Sequence, residues 1–126
     1  MKKYDIGDIV FVSEYDYDNG EKGSNHLFVI IDEEKLVSAE YFGLIVSSRI
    51  EKSKKNSRFK FNELLKKNDT NKLDRDSIVK CDQIYTFSQK HIQFKIGHVD
   101  VDDFIRFMNA YEFYLKSLEK EEQPVG

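Results

Sequence analysis

The sequence predicts an α+β domain, a small β-barrel with short helical insertions and a C-terminal amphipathic helix. Three observations carry this reading. Short runs rich in β-branched and aromatic residues recur as far as residue 86, separated by glycine, asparagine and aspartate. The last part of the chain instead repeats apolar residues at helical spacing. Many short strands followed by one such helix suit a small barrel with the helix packed outside. At 126 residues, the length fits one domain with a core large enough to need no disulfide.

Taken in order, residues 8–12 (Asp-Ile-Val-Phe-Val) follow Gly7 and read as the first strand. Residues 14–25 are polar and contain Gly20 and Gly23, so a wide hairpin loop is expected there. Residues 26–31 include the apolar run 27–31 and read as a buried strand. Residues 40–47 form another, in which Gly43 marks a bulge or a close backbone approach. The basic stretch 49–60 reads as a loop, and Arg58-Phe59-Lys60-Phe61 alternates as a half-exposed strand does. A helical turn is expected over 62–67 and a polar connector over 68–76. Residues 77–82 and 83–86 read as a strand pair or one bent strand, and 88–93 as a short helix.

The final helix is the clearest element. Asp100 is a good N-cap, and Asp102 and Asp103 suit the positive end of the helix dipole. Phe104, Ile105, Met108, Tyr111, Leu115 and Leu118 form its apolar stripe, read as core. No repeat or linker divides the chain. The expected organisation is one domain over 1–120 and a flexible tail over 121–126.

Composition removes several function classes. The apolar run 27–31 is far shorter than the roughly 20 residues a membrane helix needs, and the N-terminus lacks an apolar signal segment. With a single cysteine, Cys81, a reducing, cytoplasmic setting is expected, with no membrane partner. No Gly-rich phosphate loop or dinucleotide fingerprint occurs. In Asp16-Tyr17-Asp18-Asn19-Gly20 the glycine comes one position too early for a calcium loop, and Leu27 stands where the bidentate glutamate belongs. His26, His91 and His98 share no ligand spacing, so neither a metal nor another cofactor is expected.

The net charge of −3 argues against a generally basic coat, but the charge is unevenly distributed. Glu14, Asp16, Asp18 and Glu21 crowd one segment. Arg49, Lys52, Lys54, Lys55, Arg58 and Lys60 crowd another against Glu51 alone. Such a basic run is either a solvated loop or a patch that attracts phosphate.

Several segments together resemble the PemK/MazF family of toxin endoribonucleases. They are Gly7-Asp8-Ile9-Val10, Gly23-Ser24-Asn25-His26-Leu27-Phe28-Val29-Ile30-Ile31, and Gly43-Leu44-Ile45-Val46-Ser47-Ser48-Arg49-Ile50. Leu73-Asp74-Arg75-Asp76-Ser77-Ile78-Val79, Asp82-Gln83-Ile84-Tyr85-Thr86, Lys90 and Gly97 then follow in the family's order. Each is weak alone, but together they span nearly the whole chain. The resemblance implies an SH3-like barrel, a homodimer, and control by an antitoxin peptide lying across an RNA groove. It also implies metal-independent cleavage of single-stranded RNA, with the ribose 2′-hydroxyl attacking the adjacent phosphate. That reaction needs a base, an acid and donors for the developing charge.

The resemblance places the family's arginine on His26 and its threonine on Ser47. Ser47 keeps the hydroxyl. His26 loses a permanently charged fork and gains a group able to transfer protons near neutrality. These two are the candidate catalytic residues. Lys22, Ser24, Asn25, Ser48, Arg49, Lys52, Gln83 and Thr86 are the candidate RNA-binding residues, although Gln83 and Thr86 equally suit backbone satisfaction at a strand turn. Tyr15 and Tyr17 are candidates for stacking on bases. The missing arginine and the acidic segment leave a second reading open, a non-catalytic module on the same fold that binds RNA or a partner peptide.

Overall fold

Strands whose neighbouring residues are both apolar must bury both faces, and that pattern organises this chain. A computed structural model describes residues 4–17, 19–34, 40–48 and 61–122. Seven strands form one antiparallel sheet: β1 (Asp8–Asp16), β2 (Lys22–Glu34), β3 (Glu40–Ser47), β4 (Asn62–Leu65), β5 (Ser77–Lys80), β6 (Tyr85–Ser88) and β7 (Ile92–His98). A single 3₁₀ turn over Gln89–His91 precedes β7, and helix α1 (Val101–Glu122) ends the fold. Among the described residues, no helix is long and apolar enough to cross a membrane.

β2 pairs with both β1 and β3, and β6 also pairs with both, so the pairing runs β2–β1–β6–β3 and returns to β2. Alternate residues serve two cores. Val10, Val12, Phe28, Ile30, Tyr41, Ile45, Tyr85 and Phe87 pack on one face. Ile9, Val29, Ile31, Leu44, Val46 and Val79 pack on the other, with Phe107 of α1.

Several expectations are corrected. The wide loop over 14–25 is mostly sheet: Glu14 pairs with Ser24, Tyr15 with Gly23 and Asp16 with Lys22. The cause is Tyr15, which is buried among Phe28, Tyr17 and Tyr85 with ring centroids 4.7, 5.9 and 5.5 Å away. Gly23 leaves room for that ring, since any Cβ there would collide with it. Tyr15 is therefore a core residue, and Tyr17 packs against the same cluster. Residues 62–65 form strand β4, paired with β5, because Leu65 is buried in the second core. The strand read at 58–61 lies outside the described residues except for Phe61, which sits in a turn.

β5 and β6 lie end to end along β3, pairing Val46 with Val79 and Gly43 with Tyr85, as one bent strand would. Gly43 is a close approach: an added Cβ would lie 2.9 Å from Phe87 and 3.1 Å from Phe28. The register slips beside it, between Ile30 and Asp32 of β2. The expected helix at 88–93 shrinks to the 3₁₀ turn, and Ile92 already belongs to β7. On α1, the buried stripe is Phe104, Phe107, Met108 and Tyr111, spaced i, i+3, i+4 and i+7. Ile105 (50 %) and Leu115 (40 %) are exposed, so the stripe is rotated from the one expected.

Candidate functional site

Among the described residues, a cleft of about 650 Å³ is formed by three separate stretches of chain. β2 supplies Asn25, His26 and Leu27. The end of β3 supplies Val46, Ser47 and Ser48. The loop leading into β5 supplies Lys72, Leu73, Asp74 and Arg75, with Ser77 beyond them; Phe11 and Ile96 complete the lining. Leu27 pairs with Val46, Phe28 with Ile45 and Val29 with Leu44. Leu27–Val46 is the last pair of that ladder, and His26 and Ser47 are the next residues along the two strands.

Local backbone geometry shapes both edges of the cleft. Asn25 adopts a left-handed conformation (φ 57°) within β2, where asparagine is better tolerated than most residues. It interrupts the β1–β2 bridges between the Val12–His26 and Glu14–Ser24 pairs. Lys72 is the other non-glycine residue with positive φ among those described (56°), and it lines the same cleft. Such a conformation costs on the order of 1–2 kcal/mol and persists only where neighbouring contacts impose it.

For Lys72 those contacts come from two asparagines. Asn71 is fully buried; its Oδ1 accepts the N–H groups of Asn68 (3.0 Å) and Leu73 (3.1 Å), and its Nδ2 donates to the Lys66 carbonyl (2.8 Å). Asn68 Oδ1 accepts the N–H groups of Thr70 and Asn71, and the Asn68 carbonyl accepts that of Lys72. The loop is also fastened to β7. His98 N–H donates to the Thr70 carbonyl (3.1 Å), and Gly97 leaves room for the backbone of Thr70 and Asn71.

His26 is half-buried, and its Nδ1 accepts the N–H of Leu27 at 3.1 Å. In the neutral ring this leaves the proton on Nε2. Its ring meets Phe28 edge-on at 6.2 Å. Ser47 is also half-buried, while Asn25 and Ser48 are exposed. Four of the candidate residues, Asn25, His26, Ser47 and Ser48, therefore share the cleft.

The others are placed elsewhere. Lys22 and Thr86 line a separate depression with Glu14, Asp16, Glu40, Ser88 and His91. Lys22 Nζ donates to Asp16 at 3.0 Å, and this hydrogen bond raises its pKa. Ser24 is exposed opposite Glu14, and Gln83 Oε1 accepts the Tyr85 hydroxyl at 3.4 Å. Arg49 and Lys52 lie outside the described residues. The acidic side chains Glu14 and Asp16 thus face a different depression from the one holding His26 and Ser47. Reading 68–76 as a plain connector missed Lys72 and Arg75. Their positions in the cleft depend on buried Asn71, which sequence pattern does not distinguish from a solvated asparagine.

Asp8, at the opposite end of β1 from Asp16, anchors a charged cluster beneath the sheet edge. Its side chain is almost fully buried; Oδ1 meets His98 Nδ1 at 3.0 Å and Lys95 Nζ at 3.1 Å, and Oδ2 accepts the Asp5 N–H. Burial pushes its pKa up, but the Asp5 N–H, His98 and Lys95 together outweigh that and hold it below the ordinary value. Cys81 is buried in the second core, and burial pushes its thiol up to about 12, which leaves it inert.

A family model described as PemK-like, MazF-like toxin of type II toxin-antitoxin system matches residues 5–110. Comparison with curated proteins gave no match.

Proposed function

The chain belongs to the PemK-like, MazF-like toxin family of type II toxin-antitoxin systems, and on that premise we propose that it is an endoribonuclease that cleaves single-stranded RNA without a metal. The observation that carries this reading is the convergence of His26 and Ser47, from adjacent strands, on one open cleft. The ribose 2′-oxygen attacks the adjacent phosphorus and loses its proton. The bond from phosphorus to the 5′-oxygen breaks, and that oxygen takes up a proton. The products are a 2′,3′-cyclic phosphate and a 5′-hydroxyl.

In this scheme His26 is the proton-transfer group. Because the Leu27 N–H engages Nδ1, the neutral ring offers Nε2–H to a phosphate oxygen as a hydrogen-bond donor; proton transfer to the leaving 5′-oxygen requires the imidazolium, in which Nδ1 carries a proton and releases the Leu27 N–H. The Ser47 hydroxyl donates to a phosphate oxygen as negative charge develops on it. Asn25 and Ser48 add neutral hydrogen-bonding groups at the rim. The requirement for a 2′-hydroxyl makes the site selective for RNA over DNA. The circular strand pairing supports reading the fold as an SH3-like barrel. Family membership supports a cytoplasmic homodimer held in check by an antitoxin.

The missing guanidinium at position 26 motivates a second reading, a binding module that holds RNA or a peptide without cutting it. The placement of Glu14 and Asp16 away from the cleft weighs against it, because those carboxylates do not oppose a phosphate bound beside His26. The test is to incubate the purified protein with a long single-stranded RNA in EDTA. Fragments with cyclic-phosphate ends, absent with His26→Ala, are the expected result. Intact RNA over a wide range of sequence and pH would overturn the nuclease reading in favour of the binding module.

A further inference from the structure

We infer that Lys72 and Arg75 form a cationic clamp that grips the phosphodiester backbone of the strand in the cleft. This rests on the reading of the cleft as a single-stranded RNA site. The other side chains lining it include Asn25, Ser47, Ser48 and Ser77, none of which carries a charge, and His26 lacks a permanent one. A polyanion entering such a site needs fixed positive charge. Among the described residues lining the cleft, Lys72 and Arg75 are the lysine and arginine, against the single carboxylate of Asp74.

The construction of the loop sets these two cations apart from ordinary surface charges. Lys72 holds a left-handed backbone that favours glycine or asparagine, yet the position carries a lysine. The buried Asn71, hydrogen-bonded through both Oδ1 and Nδ2, fixes that conformation, and Gly97 and His98 fasten the loop to β7. The backbone that carries Lys72 is therefore set before any ligand arrives. Three other basic groups are already engaged: Arg106 with Glu63 and Asp103, Lys95 with Asp8, and Lys22 with Asp16. Neither Lys72 nor Arg75 has a side-chain ion pair or hydrogen bond among the described residues. The two groups are also complementary: a guanidinium takes two phosphate oxygens at once, while an ammonium acts as a point charge.

The experiment is fluorescence anisotropy of the 126-residue chain with a labelled 2′-O-methyl oligoribonucleotide, which keeps the phosphodiester backbone but cannot be cut by 2′-hydroxyl attack. Lys72→Asn removes the charge while suiting the left-handed backbone; Arg75→Gln and the double variant complete the set. Lys116→Gln, on the exposed side of α1, is the control. Each clamp variant is expected to weaken binding several-fold. Each should also flatten the slope of log affinity against log salt by about 0.7, the contribution of one contacted phosphate on a single strand. Unchanged affinity and slope in folded variants would overturn the clamp, as would wild-type protein that does not bind the probe. A protein that binds this probe through Lys72 and Arg75 but leaves cleavable RNA intact would retain the clamp while overturning the nuclease reading.

Discussion

His26 and Ser47 directly adjoin the Leu27–Val46 pair, each on its own antiparallel strand, and both line the same cleft. The pair joins an imidazole, the proposed proton-transfer group, to a hydroxyl, the proposed donor to the phosphate. Because the surrounding β2–β3 register is set by buried residues, the relation between them is fixed by the core.

His26→Ala should reduce RNA cleavage by about 10²–10⁴-fold, the range spanned by positioned acid–base groups. His26 is only half-buried, so the thermal midpoint should move little. Single-turnover cleavage and a melting curve on the same preparation check both parts.

Ser47→Ala should lower the single-turnover rate by about 10²-fold or more, with RNA affinity nearly unchanged, as expected for a donor used mainly in the transition state. Ser47→Thr keeps the hydroxyl and should recover much of the loss. Equal loss in both variants would mean that Ser47 contributes through packing.

Asp8 makes stability depend on acid. Its native pKa is depressed, so its contribution is fully present above the unfolded value of about 3.9 and is lost as pH falls through the lower native value. Asp8→Asn should destabilise the protein at pH 7 by about 1–3 kcal/mol and flatten the acid limb below pH 4. Urea denaturation at several pH values between 7 and 3 measures this.

Gly97→Ala should destabilise the fold by about 1–3 kcal/mol, because the added methyl meets the Thr70 carbonyl oxygen at 2.8 Å and collides with the Asn71 backbone. Displacing the loop should also weaken RNA binding. The urea midpoint and oligonucleotide affinity are the paired readouts.

On α1, Phe107→Ala should cost about 3–5 kcal/mol, since that ring is fully buried. Ile105→Ser, at a half-exposed position, should change stability by no more than about 0.5 kcal/mol. Two denaturation curves distinguish the observed stripe from one centred on Ile105.

The contrast between those positions shows what the sequence could convey. The helix over 101–122 and strands β1 to β3 were legible because apolar periodicity and β-branched runs report local geometry directly. The rotation of the helix was less legible: both Ile105 and Phe107 are apolar, and only the docked sheet selects between them. The β1–β2 hairpin extended further than its polar composition suggested, because Tyr15 lies in the core behind a polar edge. At the candidate site, Asn25, His26, Ser47 and Ser48 were legible through the resemblance, and the core-set pairing of β2 with β3 brings their segments together. Lys72 and Arg75 were hidden because their loop is organised by the buried amide of Asn71 and by contact with β7. Lys22 and Thr86 were drawn elsewhere by the extended hairpin, which carries Lys22 to Asp16.

The anchoring of loop 66–76 on Gly97 and His98 also has a temporal side. The cleft needs residues 25–27, 46–48 and 72–77, but the hydrogen bond that docks the third group comes from β7, a strand made after all three. A nascent chain still lacking β7 has both candidate catalytic side chains and no seat for the loop beside them. Growth of the polypeptide thus acts as a timer: the cleft is completed only after Gly97 and His98 have left the ribosome.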